Sequence, residues 1–170
     1  LTYKSILGMN GKIIRVVGRM MDIDQEKQEQ EQLSQQAKKD PLTGLFNKAA
    51  TRGEVAEYLR KCREKSHAML VIDIDNFKMI NDTFGHLFGD SVLVDIAEKI
   101  VDSFRTSDIV GRVGGDEFLV FMKEVESQIV EDKARLLCEK IKQQYQEDDL
   151  KVEISCSVGV AFFNQDGSNY

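Results

Sequence analysis

The chain has 170 residues, an apolar fraction of 42% and a formal net charge of −6, which suits one full domain with a short extra segment. The acidic balance argues against nucleic acid as the main partner, although a nucleotide can still bind where a metal supplies positive charge. No apolar run reaches the roughly 20 residues of a membrane span, and no signal peptide is recognisable. The three cysteines, at 62, 138 and 156, are dispersed without metal-ligand spacing and predict buried, reduced thiols in a cytosolic compartment.

The first 24 residues predict one or two strands with a turn at Asn10–Gly11, because Ile13, Val17 and Met21 form an imperfect apolar stripe. Two strands alone bury too little to be stable, so we expect them to be the tail of a domain whose front precedes this chain. Residues 25–39 are rich in Gln, Glu and Lys and favour a helix, either a solvated linker or a two-stranded coil that forms in a dimer.

Pro41 marks the start of a compact unit over residues 40–170. Its patterns predict a helix at 46–64, an apolar strand at 68–74 buried on both faces, a short helix at 76–85, a helix from Gly89, a strand pair at 108–113 and 117–122, a helix at 127–145 and a strand at 152–163. This order predicts an α/β (α+β) fold with a mixed, partly antiparallel central sheet flanked by helices.

Four carboxylates follow or interrupt the predicted strands. Asp73 and Asp75 stand where the strand at 68–74 ends, and Asp116 and Glu117 stand at the turn of the later strand pair. If those strands adjoin, Asp73, Asp116 and Glu117 meet at one sheet edge and repel each other. Oxygen ligands without His or Cys favour Mg²⁺ or Mn²⁺ rather than Zn²⁺.

The stretch RVGGDEFLVF, residues 112–121, puts two glycines before two of these carboxylates. Gly114 and Gly115 allow a tight turn and leave no Cβ where a ligand must approach closely. A plain surface turn would have the same residues, so the stretch alone does not decide between structure and function.

Polar residues after Asp73 suit a phosphorylated ligand. The amides that open the helix at 76–85, with Lys78 in its first turn, can hold phosphate oxygens, although Lys78 can also be a surface lysine. Asn81 and Asp90 match the hydrogen-bonding edge of guanine, or else are a helix-surface amide and an N-cap. We interpret His86 as structural and His67 as exposed.

These blocks together resemble GGDEF-domain diguanylate cyclases: DPLTGLFNK at 40–48, VIDIDNFKMINDTFGHLFGDSVL at 71–93, RVGGDEFLVF and SVGVA at 157–161. The resemblance runs from about residue 40 to the end and implies a palm-like nucleotidyl-cyclase fold. It implies condensation of two GTP molecules into cyclic di-GMP, with release of pyrophosphate, by a homodimer that uses Mg²⁺ or Mn²⁺.

The resemblance also implies roles for individual residues. Asp73, the Ile74 carbonyl, Asp116 and Glu117 would bind metal, and Glu117 would help to deprotonate the attacking 3′-hydroxyl. The substrate would be bound at Asn76, Phe77, Lys78, Asn81, Asp90, Gly114 and Gly115. Arg105 and Asp108 match an Arg-x-x-Asp product-inhibition site, although this spacing is common and usually structural.

Three further expectations rest on resemblance. Residues 1–24 resemble the last strands of a PAS sensor domain, which would place the cyclase downstream of a sensor. The family's domain continues after SVGVA into a final helix, so we expect this chain to lack a C-terminal piece of it. The expected location is the bacterial cytoplasm, with no membrane insertion by this chain and membrane attachment through preceding parts left open.

Two alternatives to an active diguanylate cyclase stay open. One is a non-catalytic GGDEF module that binds GTP or cyclic di-GMP, and the other is a different nucleotidyl cyclase or polymerase-like palm.

Overall fold

A computed structural model describes residues 2–7, 13–19, 37–147 and 150–163 of the chain. The chain divides into two compact units, Leu1–Ala37 and Lys38–Tyr170. In the first unit, strands β1 (Thr2–Leu7) and β2 (Ile13–Arg19) pair antiparallel. The turn predicted at Asn10–Gly11 and residues 25–36 of the predicted linker helix lie outside the described residues. Residues 37–39 form a turn and a bridge from Lys39 to Phe46 rather than the end of a helix.

The second unit alternates helices and strands in an order close to the predicted one. Its elements are α1 (Lys48–Lys61), β3 (Ala68–Asp75), α2 (Phe77–Phe84), α3 (His86–Ser103), β4 (Ile109–Arg112), β5 (Glu117–Met122), α4 (Ser127–Ile141), β6 (Gln143–Glu147) and β7 (Leu150–Phe162). The five strands form one sheet in the order β4-β5-β3-β7-β6. The predicted α/β class is therefore confirmed. All strand pairs of this sheet are antiparallel, and the described parallel pairing is one bridge between Phe46 and Gly111.

The main core lies under one face of the sheet. In β3, Ala68, Leu70, Ile72 and Ile74 are almost completely buried there. The prediction that β3 is buried on both faces is wrong at Val71, which is 43% exposed on the other face. That second face is covered mainly over β4 and β5, where Val55 and Leu59 of α1 pack in a smaller cluster. An antiparallel strand can leave one face partly open, and β3 does so towards β7.

Local signals set the ends of several helices. The Asn47 side chain accepts a hydrogen bond from the Ala50 amide and caps α1. Gly85, with a φ of 85°, ends α2 where the sequence predicted. The helix expected from Gly89 begins earlier, at His86, so that Gly89 lies inside its first turn.

The predicted helix at 127–145 is wrong in its last residues, because α4 ends at Ile141 and residues 143–147 form the edge strand β6. Contacts with α3 hold this strand: the Tyr145 hydroxyl donates to Asp95, and Lys99 donates to Gln143. Tertiary contacts override the helical propensity of this Gln- and Glu-rich segment.

His67 is fully buried, so the expectation that it is exposed is wrong. Its Nε2 lies 2.8 Å from the carbonyl oxygen of Cys62, and its Nδ1 lies 3.1 Å from the amide nitrogen of Glu124. A neutral ring with its proton on Nε2 satisfies both contacts, and the rings of Tyr58, Phe121 and Phe163 surround it.

The three cysteines are free, as predicted. Only Cys156 is fully buried, whereas Cys62 and Cys138 are half-buried. In the described part of the chain, no helix combines the length and the apolar character needed to cross a membrane.

Candidate functional site

The sheet brings together the three carboxylates expected to meet at one edge. Strands β3 and β5 adjoin, and Asp73 lies directly opposite Glu117 in the antiparallel register. Side chains directly opposite each other share a face, with Cβ atoms about 5 Å apart. The Ile74 amide donates to the Asp116 carbonyl at 3.3 Å, which ties the end of β3 to the turn before β5.

Negative charge accumulates at this edge. Partial desolvation raises the pKa of the Asp73 carboxyl, and the charges of Asp116, Glu117 and Asp75 raise it further. Among the described residues, no hydrogen-bond donor faces the side-chain oxygens of Asp73, Asp116 or Glu117. Asp75 differs, because it accepts hydrogen bonds from Ser155 at 2.5 Å and Ser157 at 2.7 Å.

The donor chemistry at this edge suits a hard cation, since it consists of carboxylate and carbonyl oxygens without nitrogen or sulfur. Over residues 37–146 and 151–163, however, no three His, Cys, Asp or Glu side chains already converge as a metal-binding group. The edge therefore fits Mg²⁺ or Mn²⁺ by its chemistry and its charge rather than by a preassembled cage.

The two glycines of the turn have different surroundings. Neither has a positive φ, so the turn itself does not depend on the backbone freedom of glycine. A Cβ on Gly114 would press on the Glu117 side chain, 3.1 Å from its Cδ. A Cβ on Gly115 would meet nothing within 4 Å. Gly114 therefore makes room for Glu117, and Gly115 borders open space that a ligand can occupy.

Arg112 fixes the same turn, and sequence reasoning missed it. Its Nη2 and Nε donate to the Gly115 carbonyl at 2.6 and 3.1 Å, and its Nη1 donates to Asp40 at 3.1 Å. Asp40 also accepts from the amide and the hydroxyl of Thr43. Although desolvation opposes ionisation, the bonds from Thr43 and Arg112 lower the pKa of Asp40. The available signal was a charged residue at the end of an otherwise apolar strand, beside the two glycines.

A tight turn connects the carboxylate edge to α2. Asn76 has a φ of 58° and a ψ of 23°, a left-handed conformation that few residues other than glycine adopt. It precedes Phe77 and Lys78, whose amides belong to the first turn of α2 and have no carbonyl of a preceding turn to bind. The Lys78 residue is exposed. These groups point to an anion site next to the carboxylates.

A cavity of about 390 Å³ lies beside this turn. Its wall contains the predicted residues Phe77, Lys78, Asn81, Asp90, Gly115 and Asp116. It also contains Asp82, His86, Leu93 and Arg112, which were not predicted as site residues. The size is that of a small-molecule pocket, and the wall combines an aromatic ring with both signs of charge. The cavity does not include Asp73, Ile74, Asn76, Gly114 or Glu117 in its wall.

Arg105 and Asp108 lie apart from the cavity, in the turn before β4. The Arg105 amide donates to Asp108 Oδ2 at 3.1 Å, and the Lys123 amide donates to Asp108 Oδ1 at 3.1 Å. Asp108 therefore holds its own turn against the end of β5. Arg105 remains exposed, so its side chain can contact a ligand at the surface.

Comparison with known proteins identifies the second unit. The family model described as "Diguanylate cyclase, GGDEF domain" matches residues 37–170. The cyclic di-GMP phosphodiesterase PdeR of Escherichia coli is 32% identical over 148 residues, which are 87% of this chain and 22% of that protein. The diguanylate cyclase TpbB of Pseudomonas aeruginosa is 46% identical over 97 residues, which are 56% of this chain and 22% of that protein.

The fold has a solved counterpart in the coiled coil and GGDEF domain of DgcB from Caulobacter crescentus, in complex with c-di-GMP. The TM-score is 0.76 at 24% identity, over 84% of this chain and 78% of that one. The present chain spans about a fifth of the length of the two curated relatives. The match over residues 37–170 and the shared fold show that this chain belongs to the GGDEF family of diguanylate cyclase domains.

Proposed function

We propose that this domain is a diguanylate cyclase that condenses two GTP molecules into cyclic di-GMP and pyrophosphate. The observation that carries the proposal is the pairing of Asp73 with Glu117 across β3 and β5, with Asp116 beside them. Desolvation raises the pKa of Asp73, the charges of Asp116 and Glu117 raise it further, and a bound cation would offset that repulsion. A domain without catalysis has no evident need for three unneutralised carboxylates at one edge.

We infer that Asp73, the Ile74 carbonyl, Asp116 and Glu117 hold Mg²⁺ or Mn²⁺. When bound, the cation would supply Lewis-acid polarisation of the α-phosphate and stabilise its charge. The chain's own groups then divide the remaining tasks. The amides at Asn76 and Phe77, with Lys78, hold phosphate oxygens beside the carboxylate edge, and Gly114 and Gly115 leave the space that the substrate occupies.

Base recognition is assigned to the cavity wall. Asn81 and Asp90 both line it, and an amide with a carboxylate can bond to the oxygen and the N–H groups on one edge of guanine. Adenine presents no donor at N1 to a carboxylate. The different nucleotidyl cyclase or polymerase-like palm, which shares the carboxylate chemistry, is disfavoured by this pair.

The reaction joins the 3′-oxygen of one GTP to the α-phosphorus of the other. The bond from that phosphorus to the oxygen bridging the α- and β-phosphates breaks, and pyrophosphate leaves with the electron pair. Glu117 accepts the proton of the attacking hydroxyl. The product contains two such bonds, one formed in each direction, and the family resemblance implies one GTP for each domain. We therefore propose that two copies of the domain face each other as a homodimer.

The first test is incubation with GTP and Mg²⁺ or Mn²⁺, followed by chromatography of the products. We expect cyclic di-GMP from the wild type and at least a hundredfold less from Glu117→Gln. Glu98→Gln changes an exposed glutamate of α3 and should leave the yield unchanged. The same assay is run on this chain and on any longer natural form of the protein. If neither forms cyclic di-GMP, although GTP or cyclic di-GMP binds, the cyclase assignment is wrong.

That outcome would favour the second candidate, a non-catalytic GGDEF module that binds GTP or cyclic di-GMP. One finding supports keeping it: the relative PdeR is named a phosphodiesterase, so membership of the family does not by itself establish cyclase activity. The intact Asp116–Glu117 pair favours the cyclase.

The base assignment has its own test. Asp90→Ser should reduce the preference for GTP over ATP, whereas Asp102→Ser, on the exposed end of α3, should not. If the ratio of GTP use to ATP use is the same in Asp90→Ser as in the wild type, Asp90 takes no part in base recognition.

We also propose product inhibition through Arg105 and Asp108. A planar guanidinium can pair with phosphate or stack on guanine, and Arg105 is exposed while Asp108 holds its turn in place. Arg105→Ala should abolish inhibition by cyclic di-GMP, and Arg135→Ala, at an exposed arginine of α4, should not. Undiminished inhibition in Arg105→Ala would contradict the assignment.

The arrangement of the whole chain is proposed as well. We propose that residues 1–24 are the tail of a PAS-like sensor domain, that residues 25–39 are a linker, and that residues 40–170 are the cyclase domain, located in the bacterial cytoplasm. The antiparallel pairing of β1 and β2 is compatible with the first assignment. Comparing the cyclase activity of residues 1–170 with that of residues 40–170, each fused to the same dimeric partner, would test whether residues 1–39 influence the cyclase domain; equal activities would count against such a role.

A further inference from the structure

Gly89 lies in the first turn of α3 and is buried against α2. A Cβ built on Gly89 would overlap the Asn81 carboxamide oxygen, lie 3.0 Å from the Asn81 Cγ, and lie 3.3 Å from Cζ of Phe77. Both neighbours line the cavity, and Asp90 follows Gly89 directly. The missing side chain therefore leaves the space that the Asn81 carboxamide occupies.

A glycine inside a helix costs about 1 kcal/mol relative to alanine, and at Gly89 the close approach of Asn81 accounts for it. Gly53 in α1 provides the contrast within this chain, since a Cβ there would meet nothing within 4 Å. At Gly89 the obstructing atoms are the far end of a flexible side chain and a ring edge. Alanine at position 89 would therefore move the Asn81 carboxamide aside and shift Phe77 slightly, while the backbones of α2 and α3 stay in place.

We propose that Gly89 is a positioning residue for base selectivity. Because Gly89 has no Cβ, the Asn81 carboxamide can keep its orientation on the cavity wall. This inference rests on the proposed function, in which Asn81 and Asp90 recognise guanine. Gly89 itself contacts no substrate and acts through Asn81. Its effect should appear as lost discrimination between nucleotides rather than as lost folding.

The test compares four variants of the chain: Gly89→Ala, Asn81→Ala, the double variant, and Gly53→Ala as the matched glycine control. Equilibrium affinities for GTP and for ATP are measured by calorimetry with Ca²⁺ and again without metal, and urea unfolding is followed in parallel. We expect Gly89→Ala to lower the ratio of GTP to ATP affinity about three- to tenfold, the effect of one neutral hydrogen bond. The double variant should match Asn81→Ala, because Gly89 acts only through Asn81. Gly53→Ala should keep the wild-type ratio.

Each other outcome counts against the proposal in a recognisable way. A wild-type ratio in Gly89→Ala overturns this inference while leaving the guanine site intact. Equal loss of both affinities, or destabilisation that persists in the double variant, assigns Gly89 a purely structural role and also overturns it. A wild type that does not prefer GTP contradicts the base recognition in the proposed function itself, and the inference falls with it.

Discussion

Replacing Arg112 with alanine should both destabilise the domain and loosen the glycine turn. The Arg112 side chain is 13% exposed, and its guanidinium joins two segments that are far apart in sequence, the Asp40–Thr43 loop and the Gly115 carbonyl. Its removal leaves the Asp40 side chain, which is 18% exposed, with Thr43 as its described partner. It also leaves the Gly115 carbonyl without the two donors that hold it.

The magnitude follows from the contacts. A hydrogen bond to a charged group contributes about 1.5–3 kcal/mol, and the donors shared by the Gly115 carbonyl contribute about 1 kcal/mol together. We therefore expect Arg112→Ala to lower the free energy of unfolding by about 2–4 kcal/mol. In a domain of this size, about 3 °C of Tm corresponds to each kcal/mol, so Tm should fall by about 6–12 °C.

Urea unfolding followed by circular dichroism at several pH values measures this effect. The lowered pKa of Asp40 means that its contribution to stability is complete above the unfolded value of 3.8 and is lost as the pH falls through the folded value. The difference between wild type and Arg112→Ala should therefore shrink in acid.

Arg112→Lys serves as the matched variant. It keeps a positive charge for Asp40 but cannot reproduce the planar set of donors to Gly115. It should retain part of the stability while losing as much cyclase activity as Arg112→Ala. An unchanged urea midpoint for Arg112→Ala at pH 7 would refute the view that this arginine holds the turn.

Three more predictions concern single side chains. Gly115→Ala should leave Tm unchanged but weaken GTP binding at least tenfold, because only the ligand would meet the new methyl group. Unaltered GTP affinity in this variant would contradict the assignment. Gly114→Ala should instead displace the Glu117 side chain and lower kcat. Asp73→Asn should abolish metal-dependent activity yet raise the stability of the metal-free chain at neutral pH. The raised pKa of Asp73 means that its charge is unfavourable above the folded pKa, so the gain should vanish in acid, and a loss of stability instead would be inconsistent with that shift. His67→Ala should cost about 2–4 kcal/mol in chemical denaturation, because it removes two hydrogen bonds and a buried ring, and a cost below about 0.5 kcal/mol would restore the view that His67 is exposed.

Patterns that are local in sequence predicted most of the fold. The apolar run of β3, the glycine that ends α2 and the strand pair around Gly114–Gly115 all lie within a few residues of the prediction. The failures involve contacts between distant segments. Residues 143–147 have helical composition but become an edge strand because they pair with β7 and bond to α3. The burial of His67 follows from the aromatic rings of α1 and β5, which no local pattern reveals.

The candidate site divides along the same line. Motifs identify the residues whose chemistry is itself informative, such as Asp116 and Glu117. They miss residues that act by positioning other residues. Arg112 donates hydrogen bonds to the Gly115 carbonyl, and Gly89 leaves space for the Asn81 carboxamide because it has no Cβ. In the sequence, Arg112 is a charge beside a glycine pair, and Gly89 stands at the start of a helical pattern. Their partners, Gly115 and Asn81, could be named only from the folded chain.

Three half-buried acids have a structural role that their hydrogen bonds make plain. Asp40, Asp75 and Asp108 each accept hydrogen bonds on their oxygens from named donors within the chain. Asp73 and Glu117 lie opposite each other on adjoining strands, and the described part of the chain offers no hydrogen bond to their side chains. Unlike Asp40, Asp75 and Asp108, these two carboxylates therefore leave negative charge in excess at one edge of the sheet. A bound cation would neutralise this excess charge, so the repulsion that destabilises the free domain would favour cation binding. Asparagine at Asp75 and at Asp73 should consequently shift stability in opposite directions.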